Sequence, residues 1–191
     1  MDFKGILFNN IKFKLIDVLG DGNCLYHSLE KSGIIDKSFD YLRSETFERI
    51  LEIWKNGCNF VKKLYASYGK NIPLSHYAKQ QKQDGRWGST LDMCFFSIVF
   101  SVNIVSISNT SGGLKQFSVY DCFRTLSNTC NYVLDDAPTI WIYHHFGSVI
   151  VALRLSNPIL LLLHGYLFSG FSNHDWSFNH GLTDCPKAVA T

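Results

Sequence analysis

The sequence has six cysteines, at 24, 58, 94, 122, 130 and 185, but no Cys-x-x-Cys. It also lacks paired cysteine and histidine at ligand spacing, so nothing in it reads as a zinc site, and no metal or organic cofactor is expected. Blocks of like charge are missing too: the net charge is +2 over 191 residues, and Lys62-Lys63 is an isolated pair. That balance argues against a nucleic-acid partner. Met1-Asp2-Phe3-Lys4-Gly5 lacks the basic-then-apolar order of a secretory signal. The cysteines are therefore expected to be reduced and the protein intracellular, in the cytoplasm. No apolar run reaches membrane-spanning length, since residues 159–171 supply about a dozen where roughly 20 are needed. A buried strand or helix is the reading taken for that run, with a membrane anchor as the alternative. There is no internal repeat and no linker. What remains is a chain that is 46% hydrophobic and 15% aromatic, enough for one domain with a real core.

One stretch organises the rest: Gly20-Asp21-Gly22-Asn23-Cys24-Leu25-Tyr26-His27-Ser28. Leu15, Ile16, Val18 and Leu19 lead into it as a short extended apolar segment. Gly20 and Gly22 allow a sharp turn, because glycine accepts positive φ without steric cost. Asp21 and Asn23 favour turns and helix caps. Leu25, Tyr26, Leu29 and Ile34 then fall on one helix face. Cys24 is thereby set at a helix N-terminus, where unpaired backbone N–H groups and the helix dipole favour an anion. Such a place lowers a thiol pKa and can also hold an oxyanion. A lone cysteine is more often a small buried hydrophobe, and it is the surrounding eight residues that favour a nucleophile.

Along the chain, residues 1–14 alternate apolar and basic and read as an edge strand or an ordered arm. Residues 39–54 form a helix with Leu42, Phe47, Ile50, Leu51 and Trp54 on one face and Arg43, Glu45, Glu48, Arg49 and Glu52 mainly on the other. A second helix covers 60–68. Another segment begins at Pro73 and runs into the polar stretch 79–85. Trp87-Gly88 follows, with Ser89 or Thr90 as the cap of a helix reaching Phe96 or beyond. Residues 102–107 and 139–143 read as strands, and 117–132 has no clear assignment.

Asp-Gly-Asn-Cys-Leu-Tyr-His-Ser resembles the nucleophile motif of the ovarian-tumour (OTU) family of cysteine peptidases. Trp87-Gly88 is similar to the Trp-Gly pair of that family, and Leu42-Arg43 fits a pair on its second helix. The resemblance covers roughly 15–155, leaving 1–14 as an N-terminal arm and 156–191 as a divergent apolar tail or the last strands of the domain. It implies a single α/β (α+β) domain, a small mixed β-sheet flanked by helices. It implies thiol-dependent hydrolysis of ubiquitin or ubiquitin-like conjugates, with Cys24 as nucleophile and Asp21 as the third catalytic member. Backbone N–H groups of Gly22, Asn23 and Cys24 would form the oxyanion hole, and Trp87 would flank the substrate channel.

The base is less plainly marked. A histidine is needed to take the thiol proton. His27 shares a helix with Cys24 and reads as structural, and His76 has no counterpart in the family. His145, in His145-Phe146-Gly147-Ser148-Val149, resembles the family's histidine at the start of a strand, although it follows residues 140–143 with almost no turn between. It can instead finish the preceding strand, with Gly147-Ser148 as the turn. His174, in Asn173-His174-Asp175-Trp176, is the alternative, with Asp175 as its partner. The remaining possibility is that no competent base exists and the chain is an inactive OTU-like module that binds ubiquitin or another protein.

Overall fold

The computed structural model describes residues 5–9, 11–110, 113–127, 137–145 and 149–155. The run 159–171, His174 and the rest of the tail lie outside them. The chain opens with β1 (Gly5–Phe8) and β2 (Ile11–Ile16), and then supplies five helices, α1 (Cys24–Ser32), α2 (Phe39–Lys55), α3 (Asn59–Ser67), α4 (Leu74–Gln81) and α5 (Thr90–Phe100). A second run of strands follows: β3 (Asn103–Thr110), β4 (Gly113–Ser118), then α6 (Val119–Ser127), β5 (Thr139–His145) and β6 (Val149–Leu155). No helix among the described residues is long and apolar enough to cross a membrane.

All six strands belong to one mixed sheet in the order β1-β2-β6-β5-β3-β4. Only β3 and β5 run parallel, with Ile104 opposite Ile140 and Asn109 opposite His145. Residues 5–8 and 11–16 are thus part of the sheet. β2 alternates buried Ile11 and Phe13 with exposed Lys12 and Lys14, and pairs with β6 so that Leu15 faces Leu153. The alternation has period two, so a single face of the strand reaches the interior.

Two apolar clusters divide the strand residues. The larger joins residues from all six described helices, such as Leu29, Phe47, Leu64, Tyr77, Phe95 and Phe123, to Ile104, Ile140 and Ile142. The smaller consists of strand residues alone, Ile11, Phe13, Ile107 and Tyr143, with Trp141 packed beside them. Successive β5 residues enter different clusters, as the pleat requires. In the larger one Phe47 meets Phe95 edge to face, with centroids 6.5 Å apart, a favourable arrangement for aromatic quadrupoles.

Local sequence explains the helix limits. Ser38 precedes α2, and its hydroxyl accepts from the Tyr41 N–H. α1 stops at Gly33, which takes a left-handed conformation with φ 69°. Ile34 therefore lies beyond α1 and is exposed, not on the helix face expected for it. Of the segment without a clear assignment, 117–127 is the end of β4 followed by α6, and 128–132 lies outside the described residues.

Candidate active site

The turn before α1 is closed by contacts from distant parts of the chain. Gly22 has φ +87°, and a Cβ there would stand 1.9 Å from the carbonyl oxygen of Gly85. Only glycine satisfies both the dihedral and the approach. The Asn23 side chain bridges the same two segments. Its Nδ2 donates to Asp84 Oδ1 at 2.8 Å, and its Oδ1 accepts from the Gly85 N–H at 2.9 Å. Asn23 occupies the N-cap position of α1 but makes no side-chain cap bond, and the first turn of the helix holds no acidic residue. Cys24 is the first residue of this helix and is buried.

Arg43 completes the closure. It is only 3% exposed, which corrects its assignment to the solvent face of α2. One of its terminal nitrogens donates to the Gly22 carbonyl at 3.3 Å and to the Arg86 carbonyl at 2.9 Å. The other donates to the Gln83 carbonyl. The guanidinium lies over the Tyr26 ring, 4.7 Å from its centroid. A buried cation is tolerable here because carbonyl dipoles and an aromatic face replace its water. Helical periodicity misses this role, since an arginine scores as polar wherever its head ends up. The Leu42-Arg43 pair was the one available signal.

Asp21 uses both oxygens locally. Oδ1 accepts from the Asn23 N–H at 2.8 Å, and Oδ2 lies 3.3 Å from His27 Nε2. That backbone N–H, with smaller help from the Asn23 and His27 side chains, holds the Asp21 carboxyl below its ordinary range. The His27 ring rests on Phe39, with centroids 4.0 Å apart. The structure thus brings Asp21, Gly22, Asn23 and Cys24 together with Arg43, and adds Asp84 and Gly85 as partners the sequence did not reveal. The Asn23 amide, one of the expected oxyanion donors, is taken by Asp21.

Trp87 is half exposed. Beside it, a Cβ on Gly88 would fall 2.4 Å from Leu25 Cδ2, so the Trp-Gly loop approaches α1 through this glycine. The helix after it, α5, packs on α2, β3 and α6. Its start is closed by a full capping box: Ser89 accepts from the Asp92 N–H, and Asp92 accepts from the Ser89 N–H.

His145 is the last residue of β5 and pairs with Val149, the first of β6. It finishes the earlier strand and does not begin the later one, and its side chain lies outside the described residues. α1 packs on β6 and β5, so the helix that begins with Cys24 lies against the strand that ends in His145. Among the described residues no cluster of His, Cys, Asp and Glu could hold a metal ion. Cys24, Cys94 and Cys122 are thiols, but Cys58 is disulfide-bonded, which corrects the expectation that every cysteine is reduced.

Comparison with known proteins fits this geometry. No curated protein sequence matches the chain. Among solved structures, the OTU domain of OTUD1 aligns over 74% of this chain and 85% of its own, with a TM-score of 0.56 and 16% identity. The Hazara virus OTU bound to ubiquitin aligns over 82% and 89%, at 0.54 and 20%. A further OTU domain in complex with ubiquitin aligns over 90% and 98%, at 0.55 and 18%. At such identities the likeness establishes the fold. The sequence profile of OTU-like cysteine proteases matches residues 19–147. That match spans well over half of the chain, from the turn before α1 to just past the end of β5, and this chain belongs to the OTU family.

Proposed function

We propose that this protein is a cysteine-dependent isopeptidase acting on ubiquitin or ubiquitin-like conjugates, with Cys24 as its nucleophile. The observation that carries the reading is the start of α1. Cys24 begins a helix whose N-terminus has no side-chain cap, where the dipole favours a thiolate. In the reaction, Cys24 Sγ attacks the isopeptide carbonyl and a histidine accepts the thiol proton. The tetrahedral intermediate collapses, the amine leaves with that proton, and water then hydrolyses the thioester. His145 is the base in this reading and His174 the alternative, while Asp21 is the third member. The oxyanion would be met by backbone N–H groups of Gly22, Asn23 and Cys24. In the resting protein the Asp21 carboxylate already occupies the Asn23 N–H, an anion standing where the substrate oxyanion would arrive. Trp87, half exposed beside the Gly88 contact with α1, would border the channel for a flexible C-terminal tail. Solved relatives bound to ubiquitin support the partner class.

A second reading rests on one observation, the position of His145 at the end of β5. With that histidine out of reach and no substitute, the protein would bind ubiquitin without cleaving it. The test is labelling by a ubiquitin probe with a C-terminal electrophile, between about pH 6 and 9, in wild type and in Cys24→Ala, His145→Ala and His174→Ala. Labelling of wild type at neutral pH, lost in Cys24→Ala and in one histidine variant, supports the peptidase. Labelling of wild type only in alkali, as for a thiol with an ordinary pKa of ~8.5, favours the binding module.

A further inference from the structure

A second thiol site lies away from Cys24. Cys94 stands in the middle of α5 and is buried, while Cys122 on α6 is half-buried. The two helices pack against one another. The Tyr68 hydroxyl, at the end of α3, is 3.7 Å from Cys94 Sγ and 3.9 Å from Cys122 Sγ. The two side chains also act on each other, Cys94 lowering the Cys122 thiol and Cys122 raising that of Cys94. Cysteines in a core are ordinarily inert, acting as small hydrophobes. These two differ because they share one hydroxyl and one of them is only half-buried.

We propose that Cys94 and Cys122 form a reversible redox site, a dithiol that a peroxide converts into a disulfide joining α5 to α6. The half-buried Cys122 reacts first. Its thiolate attacks one peroxide oxygen, the O–O bond breaks, and the departing hydroxide takes up a proton as water. Cys122 is then a sulfenic acid, oxidised by two electrons. The Cys94 sulfur attacks the Cys122 sulfur, the S–O bond breaks, and hydroxide leaves with the Cys94 proton as a second water. A thiol such as dithiothreitol reverses the change by two exchange steps. The balance is two thiols and one peroxide giving one disulfide and two waters. Electrostatics favour this order: interaction with Cys94 holds the Cys122 thiol below the ordinary range, while interaction with Cys122 and burial push Cys94 up. The sulfurs must close to roughly 2 Å, and the two helices that carry them are already in contact.

The experiment is peptide mapping of the full chain after brief exposure to hydrogen peroxide at neutral pH, with remaining thiols alkylated before digestion. Trypsin separates the two sites, since Arg86, Lys115 and Arg124 place Cys94 in 87–115 and Cys122 in 116–124. The expected product is these peptides joined and lighter than their sum by two hydrogens, with dithiothreitol restoring both. In Cys94→Ser, Cys122 should go on to the sulfinic acid, since its resolving partner is gone. In Tyr68→Phe, which keeps the ring in the core, joining should slow several-fold. The proposal is overturned if wild-type Cys122 overoxidises while Cys94 remains alkylatable, if Cys122 joins another cysteine, or if both stay alkylatable when Cys24 is already oxidised. The readout is mass and not turnover, so the result stands apart from the peptidase reading.

Discussion

The starts of α1 and α5 are built from similar materials to opposite ends. Each follows a glycine-containing turn, and each has an aspartate that accepts a backbone N–H. At α5, Ser89 and Asp92 face inward on their own helix and satisfy its N-terminus. At α1, the equivalent side chain, Asn23, turns away and ties Asp84 and Gly85 instead. One N-terminus is closed by its own side chains; the other has no side-chain cap, and its turn is held from outside. The carboxyls differ accordingly. Burial raises Asp92 in spite of the Ser89 N–H and Tyr77 hydroxyl bonds, whereas exposed Asp21 is lowered chiefly by the Asn23 N–H. A capping box contributes about 1 kcal/mol to its helix. Leaving α1 without one is affordable because Arg43 and Asn23 hold the turn.

The sharpest way to break the contrast is Gly22→Ala. Its Cβ collides with backbone, and φ is unfavourable for alanine, so a loss of roughly 3 kcal/mol is expected together with loss of Cys24 labelling. Urea unfolding and probe labelling of the same preparation check both effects. Arg43→Met comes next, at about 2–3 kcal/mol, because three carbonyls lose their shared donor; Arg43→Lys should restore little, lacking the planar fork. Ser89→Ala should cost only about 1 kcal/mol and leave labelling at the wild-type rate, which separates the closed N-terminus from the open one.

The smallest effect concerns pH. Asp21 has a folded-state pKa below its unfolded value, so its contribution is present above the unfolded value and is lost as pH falls through the folded one. The thermal-midpoint gap between wild type and Asp21→Asn should therefore be widest near neutrality and shrink below about pH 4. A gap unchanged in acid would show that the carboxylate's charge does not stabilise the turn.

By itself the sequence determined the local features. Asp21-Gly22-Asn23-Cys24 carries its own turn and helix start, the periodicity of Leu42, Phe47 and Ile50 sets α2, Ser89 or Thr90 marks the cap of α5, and alternation at Ile11 and Phe13 marks β2. These depend on neighbours within a few residues, and for that reason periodicity and capping chemistry reveal them. Tertiary structure decided the rest: that Gly85 crosses Gly22, that Arg43 is buried on three carbonyls, that Cys94 and Cys122 share the Tyr68 hydroxyl, and that His145 ends β5. Each of these joins residues far apart in the chain, and a side chain's partner there is set by how the helices and strands pack, which no local pattern of residues records.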